Sequence, residues 1–280
     1  MNTPVLVATD GSAVATEAVR WAAVEAARSR RALRVVHVSG VWAYDRPTRT
    51  ALGALRELGE REREILAQAV RAARAVVPGL PVETAMIWGK VTPGLHREAE
   101  CASLLVLGRH GHGHGLTAAL RLGSAVTGLA ANAPCPVVVV PGLDGGPYGE
   151  VVAGYEGDSS AVLEYAFDQA VRRGATLRAI HAWMPPYPGF TLHQQVFDNA
   201  EAEAERVLRP WRERYPQVTV IGQTVCGGAV PALNAASARA DLVVVGARKA
   251  ILGSVTNGVL HGARCPVVVV QPAHALAGSR

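Results

Sequence analysis

The stretch "APCPVVVVP" at 133–141 returns as "ARCPVVVVQ" at 263–271, so Cys135 and Cys265 lie 130 residues apart. Gly123 and Ser124 recur as Gly253 and Ser254 at the same offset. Upstream, "ASLLVLGR" at 102–109 matches "ADLVVVGAR" at 240–248, and "VLVATDGSAVATEAVRWA" at 5–22 matches "VVAGYEGDSSAVLEYAFD" at 151–168. A repeat this long is a whole domain, with room for its own core. The chain therefore divides into domains at 1–141 and 150–272. The join, "PGLDGGPYG" at 141–149, has the glycine and proline of a short ordered linker.

Each copy alternates strand and helix. In the first, Val5–Ala8 reads as an apolar strand, Asp10, Gly11 and Ser12 as a turn, and 13–30 as an amphipathic helix. Leu33–Val38 is the second strand. Helical spacing of Leu55, Leu58, Ile65, Leu66, Ala69 and Ala73 marks a helix over 54–76, stopped by Pro78 and Gly79. Val82–Ile87 follows as the third strand. Thr92 then reads as an N-cap with Pro93 at the first helical position. Leu104–Leu107 and Val137–Val140 complete the set. The second copy repeats it through Leu177–Ala182, a helix near 193–213, Val218–Val220, Leu242–Val245 and Val267–Val270. Short apolar strands without alternation are buried on both faces, and helical crossovers supply the covers, so the sheets are expected to be parallel. The handedness of crossovers leaves few topologies. The fold class is α/β, two tandem doubly wound domains, with ligands expected at the strand carboxyl ends.

Composition narrows the function. The 280 residues are 49% hydrophobic and 18% charged, with a formal charge of +5 and arginines scattered over helices as in "REREILAQAVRAAR". No basic tail or aromatic-basic array is present, which argues against a nucleic-acid partner. No apolar run approaches a membrane span and no signal peptide is evident, so the expectation is a cytoplasmic protein without a membrane partner. The four cysteines, Cys101, Cys135, Cys226 and Cys265, form no Cys-x-x-Cys pair, which fits a reducing compartment. Cys135 and Cys265 precede prolines before buried strands and read as packed thiols.

Three segments converge at the carboxyl end of the first sheet: the Asp10 turn, the stretch "GRHGHGHGL" from Gly108, and Gly123 with Ser124 at a helix start. Glycines let backbone N–H groups approach an anion, and a helix start adds unpaired N–H groups and a positive dipole end. Ser124 and Thr127 offer hydroxyls, and Arg109 a positive charge. The stretch is neither a Walker A loop nor a Gly-x-Gly-x-x-Gly loop. By composition it is either a phosphate cradle or a flexible glycine loop. Asp10 is likewise either a turn former or a nucleotide contact. His110, His112 and His114 alternate as a zinc or nickel trio would, but no cysteine or carboxylate completes it locally, and no resident metal site is assigned. His37 and His181 occupy matching second strands, which favours a structural role. No catalytic constellation stands out.

As a set, "VLVATDGS", "SLLVLGRHG", "LGSAVTGLAANAPCPVVVV" and "ADLVVVGARKAILGSVTNGVLHGARCPVVVV" resemble the universal stress protein family, in its tandem actinobacterial form. The resemblance covers nearly the whole chain, twice. It implies Rossmann-like, adenine nucleotide alpha hydrolase-like domains of five parallel strands in the order 3-2-1-4-5. Many members bind ATP through Gly-x-x-Gly, nine residues, then Gly-Ser or Gly-Thr, with Mg²⁺ accompanying the nucleotide. Carried onto domain 1, this assigns Asp10, Val41 on the adenine side, Gly108 and Gly111, Gly123 and Ser124, and Val126 and Thr127 near the phosphates. Eleven residues, not nine, separate Gly111 from Gly123; counting from Gly113 restores nine but puts His110 at the first glycine. In domain 2 only six residues separate Gly246 from Gly253, Glu156 stands at the aspartate position, and Arg248 and Lys249 replace the glycine turn. The resemblance thus implies a stress-response protein binding an adenine nucleotide in domain 1, with domain 2 as a degenerate partner. It also implies intramolecular pairing of Val137–Val140 with Val267–Val270, a possible homodimer, and at most slow ATP hydrolysis. The alternative is a nucleotide-free scaffold.

Overall fold

The computed structural model describes residues 3–39, 49–109, 123–142, 146–157, 159–184, 194–247 and 252–272. The chain forms two compact units, Met1–Gly142 and Leu143–Arg280. Unit 1 runs β1 (Val5–Ala8), α1 (Ala13–Arg28), β2 (Leu33–Ser39), α2 (Arg49–Val76), β3 (Val82–Trp88), α3 (Val91–Ala99), β4 (Leu104–Gly108), α4 (Ser124–Asn132) and β5 (Val137–Val140). Unit 2 repeats the order with β6 (Glu150–Tyr155), α5 (Ser160–Arg173), β7 (Thr176–Trp183), α6 (Gln194–Arg214), β8 (Val220–Cys226), α7 (Ala229–Ser237), β9 (Leu242–Gly246), α8 (Ser254–Gly262) and β10 (Val267–Val270).

Within unit 1 the strand order is β3-β2-β1-β4-β5, and within unit 2 it is β8-β7-β6-β9-β10. Every described strand pair within the units is parallel; Val5 sits opposite both Leu33 and Leu104, and Val151 opposite both Leu177 and Leu242. This is the doubly wound fold expected from the sequence. The order places β1 and β6 centrally. Their runs "VLV" and "VVA" are buried because helices cover both faces. In unit 1, α1 packs beside α2 and α3 beside α4; in unit 2, α5 packs beside α6 and α7 beside α8.

Small residues set how closely the helices approach. The buried face of α1 is Ala15, Ala18, Ala22 and Ala26 with Val19 and Ala23. Gly108 explains itself here: a Cβ on it would lie 3.2 Å from the Ala15 backbone nitrogen and from Val14. A glycine at the end of β4 is therefore a packing requirement before it is anything else. Leu6, Leu33, Leu105 and Leu129 are fully buried in the same unit, each contributing about 1.5–3 kcal/mol by removal from water.

Three local expectations need correction. Helix α3 begins at Val91, with Lys90 as an N-cap that makes no side-chain bond, so Thr92 is not the cap and Pro93 is the third helical residue. Proline is tolerated there because the first intrahelical bond runs from the Gly94 N–H to the Lys90 carbonyl, and no earlier donor is used. Strand β8 is Val220–Cys226, not Val218–Val220; Val218 lies buried in the preceding turn. As the outermost strand of its unit's order, β8 has no fully buried residue and contains Gly222, so it lacks the apolar run that marks central strands. Helix α2 starts five residues before the apolar period does, at Arg49.

Candidate functional site

In a parallel sheet each helix runs back against the strands, so α4 starts at the carboxyl end of the unit 1 sheet. The Asp10 turn lies at that end too. Gly11 holds φ +79°, a left-handed conformation that suits glycine. The Asp10 carboxylate accepts the Ser12 N–H at 3.0 Å, the Thr9 hydroxyl accepts the Gly11 N–H at 3.2 Å, and the Ser12 hydroxyl caps α1 by accepting the Ala15 N–H at 3.1 Å. The turn-forming role of Asp10 is thus present. His37 supports the same place from β2: its Nδ1–H donates to the Thr9 carbonyl at 2.8 Å. His181 of β7 makes the matching bond to the Tyr155 carbonyl at 3.4 Å. Each histidine bonds a carbonyl at the carboxyl end of its unit's central strand, Thr9 just after β1 and Tyr155 as the last residue of β6.

Gly123 is the N-cap of α4, with φ −58° and ψ 145°, and among the described residues no side chain caps the helix. The first intrahelical bond runs from the Thr127 N–H to the Gly123 carbonyl at 3.1 Å, so the Ser124, Ala125 and Val126 N–H groups precede it. Gly123 and Ser124 are exposed, and a Cβ on Gly123 would touch nothing within 4 Å. Val126 has its side chain in the core, 7% exposed, so it can offer only its N–H. The Thr127 hydroxyl turns back to the Gly123 carbonyl at 3.4 Å. Arg109, following β4, donates its N–H to the Val140 carbonyl at 2.8 Å. Burial lowers its guanidinium pKa from the usual value, and an arginine at such a site stays charged. Val41, Gly111 and Gly113 lie outside the described residues, as do His110, His112 and His114.

Unit 2 carries the corresponding corner with different side chains. The Ala247 N–H donates to the Val270 carbonyl at 2.9 Å, the same bond that Arg109 makes in unit 1. Alanine therefore stands where unit 1 has its cation. Glu156 occupies the Asp10 position, but its N–H goes to the Ser159 hydroxyl at 3.0 Å, and Ser159 makes no cap bond to α5. Thr256, in the first turn of α8, donates its hydroxyl to the Gly246 carbonyl at 2.7 Å. That bond ties the helix start directly to the end of β9. Arg248 and Lys249 lie outside the described residues.

A cavity of about 440 Å³ opens at this end of unit 2, which reading the sequence did not find. Gly154, Ala182, Ala229 and Ala247 line it, together with Val162, Leu233, Val245 and the α8 start. The parallel registers pair these four small positions with Ala8, Val38, Val91 and Arg109 of unit 1. The sequence held the signal as four small residues, but only the strand registers bring them together. Among the described residues there is no group of three or more His, Cys, Asp or Glu that could hold a metal ion. Cys135 and Cys265 are buried, and burial pushes both thiols up to about 12, whereas Cys101 and Cys226 are exposed.

The fold agrees with comparison to known proteins. The model of the universal stress protein family matches residues 1–141 and again 148–271. A universal stress protein of Mycobacterium tuberculosis is 34% identical over 290 residues, covering 95% of this chain and 96% of that one. A second from the same organism is 32% identical over 305 residues, covering 96% and 95%. The crystal structure of a universal stress protein from Archaeoglobus fulgidus superposes with a TM-score of 0.69 at 18% identity, covering 96% of this chain and 97% of that one. The chain belongs to the universal stress protein family, as a tandem of two of its domains. No described helix is long and apolar enough to cross a membrane.

Proposed function

We propose that this is a cytoplasmic stress-response protein that binds ATP in unit 1, with unit 2 as its degenerate partner domain. The observation that carries the reading is the start of α4 at Gly123 and Ser124, exposed at the carboxyl end of the sheet and without a side-chain cap among the described residues. Three consecutive N–H groups and a helix dipole favour a phosphate there, and the missing Cβ of Gly123 leaves space beside them. Asp10 lies on the same end, in the turn after β1, and is the proposed nucleoside contact. Mg²⁺ would accompany the triphosphate and neutralise part of its charge. Ser124, through its hydroxyl and N–H, and Val126, through its N–H alone, are the described groups suited to hold the phosphates. Nucleotide occupancy would serve as a signal or stabilise one conformation.

Calorimetric titration with ATP and Mg²⁺ tests the reading, after mass spectrometry for nucleotide retained through purification. The expected result is saturable binding near one per chain. Gly123→Val should abolish it while leaving the circular dichroism spectrum and melting temperature close to the parent, because its side chain meets open space in the protein. Asp10→Ala should weaken binding. Absence of binding and of retained nucleotide would leave the scaffold reading in its place.

A further inference from the structure

A groove of about 570 Å³ runs along α7 beside the outermost strand β8, toward the amino ends of β6 and β7. Val225 and the α7 residues Ala232, Ala235 and Ala236 give it an apolar floor, and Glu150, Arg178, Arg239 and Tyr148 line it as well. Unit 1 builds the same place differently. The Ser103 N–H donates to the Pro4 carbonyl at 2.9 Å and the Asp241 N–H to the Glu150 carbonyl at 2.8 Å, so Pro4 and Glu150 correspond. Arg34 and Arg178 correspond in register, each one residue past the leucine opposite Val5 or Val151. Glu98 and Ala236 are the eighth residues of α3 and α7, and Cys101 and Arg239 lie two residues past those helices. In unit 1 the Arg34 Nε–H donates to the Glu98 carboxylate at 2.7 Å, so the helix itself brings a carboxylate to the strand arginine. In unit 2 the helix brings only the methyl of an alanine. Arg178 turns instead to Glu150, donating to its two oxygens at 2.8 and 2.9 Å, and to the Gln223 Oε1 at 3.3 Å.

That exchange vacates the position where unit 1 holds a carboxylate, and it adds a cation. Glu150 satisfies the Arg178 guanidinium, while Arg239 is exposed and its guanidinium meets no carboxylate among the described residues. Tyr148 is held in place beside them: the Asp241 carboxylate accepts the Tyr148 N–H at 2.6 Å and the Gly149 N–H at 2.9 Å, and the ring stays half exposed. A guanidinium fork matches a carboxylate bidentately. An exposed pair of that kind is worth little alone, so affinity also needs an apolar body laid on the alanines. The volume lies within the range of small-molecule sites. From the vacated carboxylate position and the added arginine, we infer that this groove binds a small organic carboxylate with an apolar body, its carboxylate at Arg239 and its body on Ala232, Ala235 and Ala236. The groove lies away from the α8 start, and the inference stands whether or not unit 1 binds ATP.

Hydrocinnamate is the probe, titrated into the full chain and followed by backbone amide NMR spectra, beside hydrocinnamyl alcohol as its uncharged counterpart. Saturable shifts are expected at Gln223, Ala232, Ala235, Ala236 and Arg239, with none at Ser254 and Thr256. The alcohol should bind about fivefold more weakly than the acid, and Arg239→Glu, which reverses the charge at an exposed position, should weaken the acid by about tenfold. Ala236→Glu restores the unit 1 residue at that position and should fill the groove, with a loss of the same order. Melting temperatures check that the variants fold; if Ala236→Glu does not, Arg239→Glu and the alcohol still decide. Four results would overturn the inference: no saturable shift up to tens of millimolar acid, equal affinity for acid and alcohol, an Arg239→Glu variant that binds as the parent does, or shifts centred on the α8 start. An acidic peptide that binds the groove when hydrocinnamate does not would also overturn it, and would assign the surface to a protein partner.

Discussion

The two units share a strand order, a pair of buried Cys-Pro turns and a histidine bonded to a carbonyl at the carboxyl end of the central strand, yet the corners at that end have diverged. After β4, fourteen residues separate Gly108 from Gly123; after β9, six separate Gly246 from Gly253. In unit 1 the α4 start is exposed at Gly123 and Ser124, and a guanidinium follows the strand. In unit 2 the helix start is bonded to the strand end, an alanine follows the strand, and small residues line a cavity. The lesson is that the scaffold and the site vary independently. The sheet accommodates either Arg109 or Ala247 because each follows its strand, and its N–H makes the same bond to the neighbouring strand in both units.

The largest expected difference lies in ATP stoichiometry. Gly123→Val should remove the nucleotide, whereas Gly253→Val should leave one ATP per chain bound. Equal loss in both would show that the corners work alike and would break the comparison. Thiol chemistry sharpens the shared part. Maleimide at pH 8 should label Cys101 and Cys226 quickly, one per unit, and leave Cys135 and Cys265 for unfolding. A thiol raised from 9.0 to about 12 has its reactive thiolate suppressed by roughly three orders of magnitude, beyond the barrier of burial.

A smaller contrast concerns helix packing. In unit 2 a Cβ on Gly258 would lie 2.8 Å from both methyls of Val230, while the matching Gly128 in unit 1 meets only the Thr92 methyl at 3.6 Å. Gly258→Ala should therefore cost about 1–3 kcal/mol by overpacking. Gly128→Ala should be neutral or stabilising by up to about 1 kcal/mol through helix propensity. Urea midpoints decide, and shifts of the same sign would remove the packing distinction. Smallest is the cap difference. Ser12→Ala should cost about 1 kcal/mol because its hydroxyl accepts the Ala15 N–H. Ser159→Ala should cost less than about 0.5 kcal/mol, because Ser159 is near the surface and caps no helix N–H. Thermal melts of the two variants should separate accordingly.

The amino-acid sequence by itself determined the tandem repeat, the parallel α/β class and the turn at Asp10. Those follow from local patterns: apolar runs, helical spacing, and glycine with short polar residues at a turn. The matching histidines could be paired from the repeat alone, because strand position is a local property. Tertiary structure decided the rest. Gly108 is explained by the closeness of α1 rather than by a ligand, and Val126 keeps its side chain in the core. Strand β8 extends through Cys226 because hydrogen bonds to β7 carry it where hydrophobicity does not. Gly154, Ala182, Ala229 and Ala247 are scattered over nearly a hundred residues, and each alone is an ordinary small side chain. They become one cavity only when parallel registers set their strand and helix ends side by side, because empty space belongs to distances between segments and not to any segment's own pattern.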